Sequence, residues 1–296
     1  MGNNKKMDTQ PILFDVVIIG AGPSGSALAY NLKRNSPDLR IALVDKATFP
    51  RYKPCGGGIS LETSRYFDFS LDEAISYVCQ DINLVAQGKI INTQAHRLLM
   101  VRRDVFDDFL VKKATALGVQ TYFASEVVDC QFLEGIWHLQ DKTHTTYQAK
   151  VCVLAEGGLG HLAKKLGVKP NNKVFAGLEY EHYVAPAQLD GKLYIDFDYN
   201  ETGYAWNFPK SDGMSFGIGG VKTRKKAKLG LPQKLKNYVQ AFNLSALEKQ
   251  HLHGHPILLY SGRKKLVHGQ LLLIGEVAGS VDPLTAEGIR PSIKSA

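Results

Sequence analysis

The chain has 296 residues, 44% of them hydrophobic, and a formal net charge of +8. This length allows one large domain or two smaller ones with a substantial buried core. No apolar run approaches the roughly 20 residues of a membrane-spanning helix, and no signal peptide follows the polar start, so we expect a cytoplasmic protein. The four cysteines form no CxxC pair, which predicts neither a disulfide framework nor a zinc site.

The first predicted unit is a strand, a glycine-rich turn and a helix. An apolar run leads into Gly20-x-Gly22-x-x-Gly25 and then into a helix-forming segment. Gly20 permits the tight turn, Gly22 lets the main chain approach a pyrophosphate, and Gly25 lets the helix pack against the strand. A second strand, 41–44, ends in Asp45, where a carboxylate is needed for ribose hydroxyls. This order of elements predicts a dinucleotide-binding βαβ unit.

A helix, a hairpin and a returning strand are predicted next. Asp104 is a candidate N-cap. The apolar face of the following helix consists of Val105, Phe106, Phe109, Leu110 and Leu117. A hairpin is predicted over 127–139, with Glu134-Gly135 at its turn. The continuous apolar run at 151–155 is typical of a parallel strand covered on both faces, so it returns the chain to the nucleotide-binding sheet.

The second half of the chain has a different residue pattern. Residues 173–267 are rich in alternating aromatic segments, which predict a β-rich substrate domain with one amphipathic helix after Pro232. The apolar run at 271–275 then predicts another strand of the first sheet. We therefore expect a discontinuous nucleotide-binding domain, 10–172 and 268–296, around the β-rich domain.

Four motifs carry a family resemblance. They read Arg51-Tyr-Lys-Pro-Cys-Gly-Gly-Gly-Ile-Ser60, Arg103-x-x-Phe106-Asp107, Gly203-Tyr-Ala-Trp-Asn-Phe-Pro-Lys210 and Gly275-Glu-Val-Ala-Gly-Ser-Val-Asp-Pro-Leu-Thr-Ala-Glu-Gly-Ile-Arg290. Together they resemble the geranylgeranyl reductase family of flavoproteins, which shares the p-hydroxybenzoate hydroxylase fold. The resemblance covers nearly the whole chain and implies an α/β fold: a Rossmann-like FAD-binding domain of this type with an inserted β-rich substrate domain.

The resemblance implies FAD as the cofactor, with NADPH or reduced ferredoxin as the electron donor. The glycine turn and Asp45 would hold the AMP half, Arg103 the pyrophosphate, and Glu276 would lie near the ribityl chain. Main-chain N–H groups at Gly288 and Ile289 would face the pyrimidine side of the flavin. The whole predicted cofactor-binding set is Gly20, Gly22, Pro23, Ser24, Gly25, Asp45, Lys46, Cys55, Gly56, Gly57, Arg103, Val127, Glu156, Gly157, Glu276, Gly288 and Ile289.

Two parts of the predicted site allow a functional and a structural interpretation. Cys55, in the loop that the resemblance places beside the flavin ring, is either a catalytic residue that contacts flavin or donates a proton, or a small space-filling residue. Tyr204, Trp206 and Phe208 alternate along one strand face, where they either line a channel for a prenyl chain or belong to the core.

A histidine cluster invites a metal interpretation. His251, His253 and His255 have HxHxH spacing, but Gly254 and Pro256 interrupt the strand pattern. We therefore predict a loop here and no metal site.

The sequence departs from the family pattern in two ways. Glu156 and Glu276 stand where aspartate is usual, and the extra methylene of each is expected to weaken FAD binding. The chain stops at Ala296, eight residues into the helix expected from Ile289, whereas family members continue. The resemblance therefore also predicts a C-terminally truncated chain.

The leading hypothesis is an FAD-dependent oxidoreductase that reduces C=C bonds of a geranylgeranyl or other prenyl substrate. The alternatives are an FAD-dependent aromatic monooxygenase of the same fold and a catalytically impaired, truncated flavoprotein. The basic clusters at 222–228 and 263–265 leave open peripheral contact with an anionic membrane, with solvated loops as the alternative. No nucleic-acid-binding motif accompanies this charge, so no nucleic-acid partner is expected.

Overall fold

The computed structural model describes residues 12–93, 97–170, 173–183, 191–221, 230–243 and 252–296. The strands are β1 (Ile12–Ile19), β2 (Ile41–Val44), β3 (Gly58–Ser60), β4 (Tyr77–Cys79), β5 (Ile82–Ala86), β6 (Lys89–Thr93), β7 (Leu98–Met100), β8 (Gln120–Tyr122), β9 (Val127–Leu133), β10 (Ile136–Asp141), β11 (Thr146–Leu154), β12 (Lys173–Tyr183), β13 (Leu193–Asp196), β14 (Gly203–Lys210), β15 (Gly213–Val221), β16 (Leu252–Leu259), β17 (Val267–His268) and β18 (Leu271–Leu273). The helices are α1 (Pro23–Asn35), α2 (Arg103–Ala116), α3 (His161–Lys165), α4 (Leu231–Gln240) and α5 (Ile289–Ser295).

The first sheet has the predicted nucleotide-binding topology. Its strand order is β17-β18-β11-β1-β2-β8, and β1 is parallel to both β11 and β2. The predicted strands at 41–44, 151–155 and 271–275 are all confirmed as members of this sheet, although β11 and β18 end at Leu154 and Leu273. Helices α1 and α2 bury their apolar residues against one face, because a parallel strand must be covered on both sides.

The predicted hairpin is also confirmed. Strands β9 and β10 pair antiparallel, and β10 joins the hairpin to β11. Glu134 and Gly135 form the turn with φ of 50° and 83°. Two successive positive φ values are typical of the tight turns that suit strand twist.

The second large sheet has the order β16-β12-β15-β14-β13-β5-β6, and a small third sheet has the order β3-β7-β4. The predicted amphipathic helix is confirmed as α4, which buries Leu235, Tyr238 and Val239 against one face of the second sheet. Strands β5 and β6 come from residues before 173, so this sheet recruits chain from both sides of the predicted boundary. The domain limits stay a prediction.

Helix α2 starts earlier than predicted. Its N-cap is Arg102, so the predicted N-cap at Asp104 is wrong. The reason is the buried ion pair between Arg103 and Asp107, which requires helical i,i+4 spacing from residue 103 onward. Val105 and Leu117, predicted on the apolar face, are 48% and 40% exposed.

The predicted histidine loop is wrong as well. His253 and His255 lie on strand β16, which pairs with β12 at the edge of the second sheet. Pro256 is tolerated because an edge strand has a side on which no N–H is needed. His251 and the basic cluster at 222–228 lie outside the described residues. Across the ranges given above, no helix combines the length and apolar character needed to cross a bilayer.

Candidate active site

A cavity of about 580 Å³ has walls contributed by both large sheets. This volume lies in the range of small-molecule sites. Every predicted cofactor-binding residue except Gly25 lines the cavity, and so do Tyr204, Trp206 and Phe208. The structure therefore brings the predicted cofactor and substrate residues to one continuous space.

The glycine turn after β1 forms one end of the cavity. Gly20 has φ of +106°, and a Cβ there would lie 2.3 Å from the carbonyl O of Ala155. A Cβ on Gly25 would lie 1.8 Å from the carbonyl O of Gly20, so Gly25 packs α1 against the turn and faces away from the cavity. Gly22 is open, with Arg51 Nη2 as the nearest atom at 3.7 Å from its Cβ position. The main chain is therefore accessible at the N-terminus of α1.

Asp45 is fixed at the end of β2. Its Oδ2 accepts a hydrogen bond from Ala21 N at 2.7 Å, and its Oδ1 accepts one from Ala47 N at 2.8 Å. The carboxylate therefore joins the second strand to the glycine turn, at the cavity wall.

Two arginines share one buried carboxylate beside this turn. Arg103 donates from Nε and Nη2 to Asp107 at 2.8 and 2.7 Å, and Arg51 Nη2 lies 3.0 Å from Asp107 Oδ2. Burial works against the charge of Arg103, but Asp107 outweighs burial and raises the pKa of the guanidinium. Two positive charges against one negative charge leave the region beside Gly22 net positive.

The same region fits a dinucleotide pyrophosphate. Arg51 Nη1 is buried and has no hydrogen-bond partner among the described residues. A helix N-terminus and an unpaired guanidinium N–H are both suited to bind phosphate oxygens. Arg51 is absent from the predicted cofactor-binding set, and its position in the quoted loop motif was the only signal for it.

The two glutamates that replace aspartates have defined partners. Glu156 accepts hydrogen bonds from the main-chain N–H groups of Leu162 and Ala163 at 2.9 and 3.0 Å, so it caps α3. Glu276 Oε1 accepts a hydrogen bond from Leu258 N at 3.1 Å. A Cβ on Gly158 would lie 2.5 Å from Glu276 Oε1, so the longer side chain fits because Gly158 leaves room for it.

Glu276 also lies near a lysine and a histidine side chain. Its Oε2 is 3.9 Å from Lys53 Nζ and 3.8 Å from His255 Nε2. Burial raises the pKa of the Glu276 carboxyl, but His255, Lys53 and the Leu258 N–H together outweigh burial and lower it. Burial and the nearby Arg103 lower the pKa of Lys53.

The loop that contains Cys55 packs against the second sheet. A Cβ on Gly56 would lie 2.7 Å from Phe208 Cδ2, and a Cβ on Gly57 would lie 2.0 Å from the carbonyl O of Val101. Lys210 Nζ donates a hydrogen bond to the carbonyl O of Gly56. The Cys55 side chain is partly buried and lines the cavity.

The three aromatic residues of β14 form an apolar wall. The prediction that they share one face is confirmed, because all three line the cavity, with ring centroids 6.0 Å apart for Tyr204 and Trp206 and 6.4 Å for Trp206 and Phe208. Trp206 lies over Gly217, where a Cβ would be 1.9 Å from its ring. The apolar wall thus depends on a glycine in the neighbouring strand.

Some cavity residues were not selected from the sequence as site residues. They are Arg51, Tyr52, Glu179, His253 and His255. Arg51 and Tyr52 lie in the quoted loop motif and the histidines have a regular spacing, whereas Glu179 had no signal in the sequence. The described residues contain no group of three or more side chains suited to bind a metal ion.

Known proteins are similar to this chain in sequence and in fold. The chain is 27% identical to the digeranylgeranylglycerophospholipid reductase of Methanococcus vannielii, over 93% of this chain and 73% of that protein. It is 24% identical to the chloroplastic geranylgeranyl diphosphate reductase of Oryza sativa subsp. japonica, over 95% of this chain but only 64% of that protein. A geranylgeranyl bacteriochlorophyll reductase-like structure from Thermoplasma acidophilum matches with a TM-score of 0.83 at 20% identity, over 96% of this chain and 76% of that one.

These matches confirm the predicted fold class and the resemblance to geranylgeranyl reductases. The model of the pyridine nucleotide-disulphide oxidoreductase family matches residues 14–189, which is more than half of the chain. The chain therefore belongs to the pyridine nucleotide-disulphide oxidoreductase family, and the expectation of an FAD-dependent oxidoreductase is confirmed at the level of that family.

Proposed function

We propose that this protein uses FAD to reduce C=C bonds of a geranylgeranyl or related prenyl chain. The observation that carries the proposal is the continuity of the cavity, which joins the phosphate-binding turn to the apolar wall of β14. A cofactor bound at the turn and an apolar substrate against the wall would therefore share one space. The names of the reductases from Methanococcus and Oryza support the same chemistry.

The residues of the turn and the arginines would hold the cofactor. The N-terminus of α1, Arg51 and Arg103 would bind the pyrophosphate, and Asp45 would receive the ribose hydroxyls. When bound and reduced, FAD supplies the hydride. The remaining cofactor contacts would come from Pro23, Ser24, Lys46, Cys55, Gly56, Gly57, Val127, Glu156, Gly157, Glu276, Gly288 and Ile289, all at the cavity wall.

The aromatic wall would bind and orient the prenyl chain. Tyr204, Trp206 and Phe208 offer apolar ring faces, which exclude water from the alkene. Trp206 Nε1 is buried and has no hydrogen-bond partner among the described residues, so it can donate to an oxygen atom of the substrate or cofactor.

Two finer points belong to the same proposal. NADPH or reduced ferredoxin would supply the electrons. The basic segment at 263–265, in which Arg263 and Lys265 are exposed, would contact an anionic membrane that carries the prenyl substrate. Cosedimentation with phosphatidylglycerol vesicles, compared with phosphatidylcholine vesicles, tests this contact.

The proposed activity is tested by an anaerobic single turnover. The FAD-loaded protein is reduced with dithionite and mixed with geranylgeranyl diphosphate or with geranylgeranylated glycerophospholipid. We expect the absorbance of oxidised flavin to return, and the prenyl product to gain two hydrogen atoms per reduced bond by mass spectrometry. Oxygen-dependent NADPH oxidation coupled to a hydroxylated product, without prenyl reduction, would overturn the proposal in favour of a monooxygenase.

A further inference from the structure

A buried group of ionisable side chains lies where β12 and β14 meet the Cys55 loop. Glu179 and Glu181, 3% and 4% exposed, are two residues apart on β12 and share one face of the strand. Lys210, 1% exposed, ends β14 and donates to the carbonyl O of Gly56. Burying a charged side chain costs free energy unless the charge is paired. The binding of a pyrophosphate uses none of these three side chains.

The two glutamates have different surroundings. Glu181 Oε2 lies 3.0 Å from Arg102 Nη1 and faces a small side void of about 30 Å³. Glu179 lines the main cavity, where Tyr52 Oη donates a hydrogen bond to its Oε1 at 3.2 Å. Burial, followed by the negative charge of Glu181, raises the pKa of the Glu179 carboxyl well above its ordinary value, although Lys210 opposes this. Glu179 therefore retains a proton under conditions in which an exposed glutamate is ionised.

The other acidic side chains of the cavity wall are already engaged. Each is held by main-chain N–H groups or by a cation: Asp45 by Ala21 and Ala47, Glu126 by Lys142, Glu156 by Leu162 and Ala163, Glu276 by Leu258 and Lys53, and Glu287 by Arg290. Glu179 instead accepts a hydrogen bond from the Tyr52 hydroxyl. Of the acidic side chains in the described wall, it is thus the one that neither a main-chain N–H group nor a directly bonded cation holds.

We propose that Glu179 is the proton donor for the prenyl reduction, a role that depends on the proposed function. Its O–H bond breaks, and the proton adds to the less substituted carbon of the alkene as the π bond opens. The second C–H bond forms at the other alkene carbon with the hydride that reduced flavin supplies, so two electrons leave the flavin. Glu179 remains as a carboxylate, which accepts the Tyr52 hydrogen bond and lies near the Lys210 ammonium, and water returns its proton.

The ionisable groups that face Glu179 come from several elements. They are Tyr52 and Cys55 of the loop, Glu181 of the same strand, Lys210 of β14 and His253, which pairs directly with Glu179 across β12 and β16. Burial, opposed by nearby acids, lowers the pKa of Lys210 to about 8. Any pH profile of the reaction must therefore be compared with a profile in which Glu179 alone has been changed.

The first test measures the single turnover described above in wild type and in Glu179→Gln. We expect the rate of flavin reoxidation to fall about 100-fold, the lower end of the usual contribution of a general acid. FAD content and reduction by dithionite should be unchanged. In wild type, the rate should fall as pH rises through the raised pKa of Glu179. The exposed Glu134→Gln is the matched control and should retain the wild-type rate.

The second test needs no cofactor. A carboxyl whose folded pKa is raised contributes stability that is present below its unfolded pKa and is lost as pH rises toward the folded value. Urea unfolding of the flavin-free protein should show this loss above about pH 4.5 in wild type and in Glu134→Gln, but not in Glu179→Gln.

The outcomes separate the two proposals. If wild type does not reduce the prenyl substrate, the proposed function fails, and the role of Glu179 as its proton donor fails with it. If wild type is active and the single-turnover rate of Glu179→Gln is within about 3-fold of the wild-type rate, only the role of Glu179 is overturned, because a general acid contributes far more than this. If Glu179→Gln does not fold, a wild-type rate that does not fall as pH rises above the ordinary pKa of a glutamate overturns it instead.

Discussion

At the end of the cavity formed by the glycine turn, called here the nucleotide end, main-chain geometry shapes the wall, whereas at the apolar end the wall consists of side chains that distant strands bring together. Gly20, Gly22 and Gly25 act through their lack of a side chain, within one short stretch of sequence. Glu179 and Trp206 come from β12 and β14, which are not adjacent in the second sheet but flank β15. At Gly20 and Gly25 the first end has no room for a methyl group, and the second end depends on the charge and shape of particular side chains.

The largest expected effect is at the nucleotide end, where Gly25→Ala places a methyl group 1.8 Å from the carbonyl O of Gly20. We expect a loss of more than about 3 kcal/mol in the free energy of unfolding, because the main chain of Gly20 and that of α1 must move apart. Urea unfolding and the FAD content after purification measure this. Gly254→Ala, whose Cβ would meet its nearest atom at 3.8 Å, is the control. If Gly25→Ala and Gly254→Ala had equal free energies of unfolding, the close packing of Gly25 against the carbonyl O of Gly20 would be contradicted.

The next effect concerns Arg51, whose guanidinium adds positive charge beside the glycine turn and has a buried N–H without a hydrogen-bond partner among the described residues. Arg51→Met should raise the Kd for FAD by about 10- to 100-fold, the usual range for a lost hydrogen bond to a charged group. Stability should change little because Arg103 still pairs with Asp107. Quenching of flavin fluorescence measures the Kd, and Arg65→Met, with a 75% exposed side chain, serves as the control. An unchanged Kd would place the pyrophosphate elsewhere.

Beside the small void next to the Cys55 loop, Lys210 should make stability depend on pH. Burial lowers its pKa to about 8, so between pH 8 and its ordinary value of 10.5 the folded state binds fewer protons than the unfolded state. The free energy of unfolding should therefore rise with pH in this window, by at most about 1.4 kcal/mol per pH unit. Lys210→Met should lack this rise in urea unfolding, and the exposed Lys112→Met should retain it. A rise of equal slope in Lys210→Met would contradict the assignment.

The smallest effect is expected at Cys55, which lies between the two ends. If Glu179 donates the proton, Cys55→Ser should leave FAD content unchanged and the single-turnover rate within about 10-fold of wild type. The anaerobic reoxidation of flavin measures this rate. A fall of more than about 100-fold, the scale of a general acid, would return Cys55 to the catalytic role considered from the sequence.

The difference between the two ends of the cavity also explains which parts of the site could be predicted from the sequence. The glycine turn, Asp45 and the hairpin at 127–139 are local patterns, and their strands and turns were correctly placed. Contacts across the second sheet have no local signature, so neither Glu179 nor the recruitment of β5 and β6 was foreseen. The error at Asp104 arose because the buried Arg103–Asp107 pair within α2 starts the helix earlier than the capping rule predicts. The error at the histidines arose because β16 pairs with β12 at a sheet edge, where the proline is tolerated.

The hydrogen bonds from Lys210 to Gly56 and from Tyr52 to Glu179 both cross from the second sheet to the Cys55 loop. The same loop is tied to the other side of the cavity by the ion pairs of Arg51 with Asp107 and of Lys53 with Glu276. The Cys55 loop therefore bridges the two large sheets. A displacement of either sheet would shift Cys55 even without direct contact between Cys55 and the group that caused it.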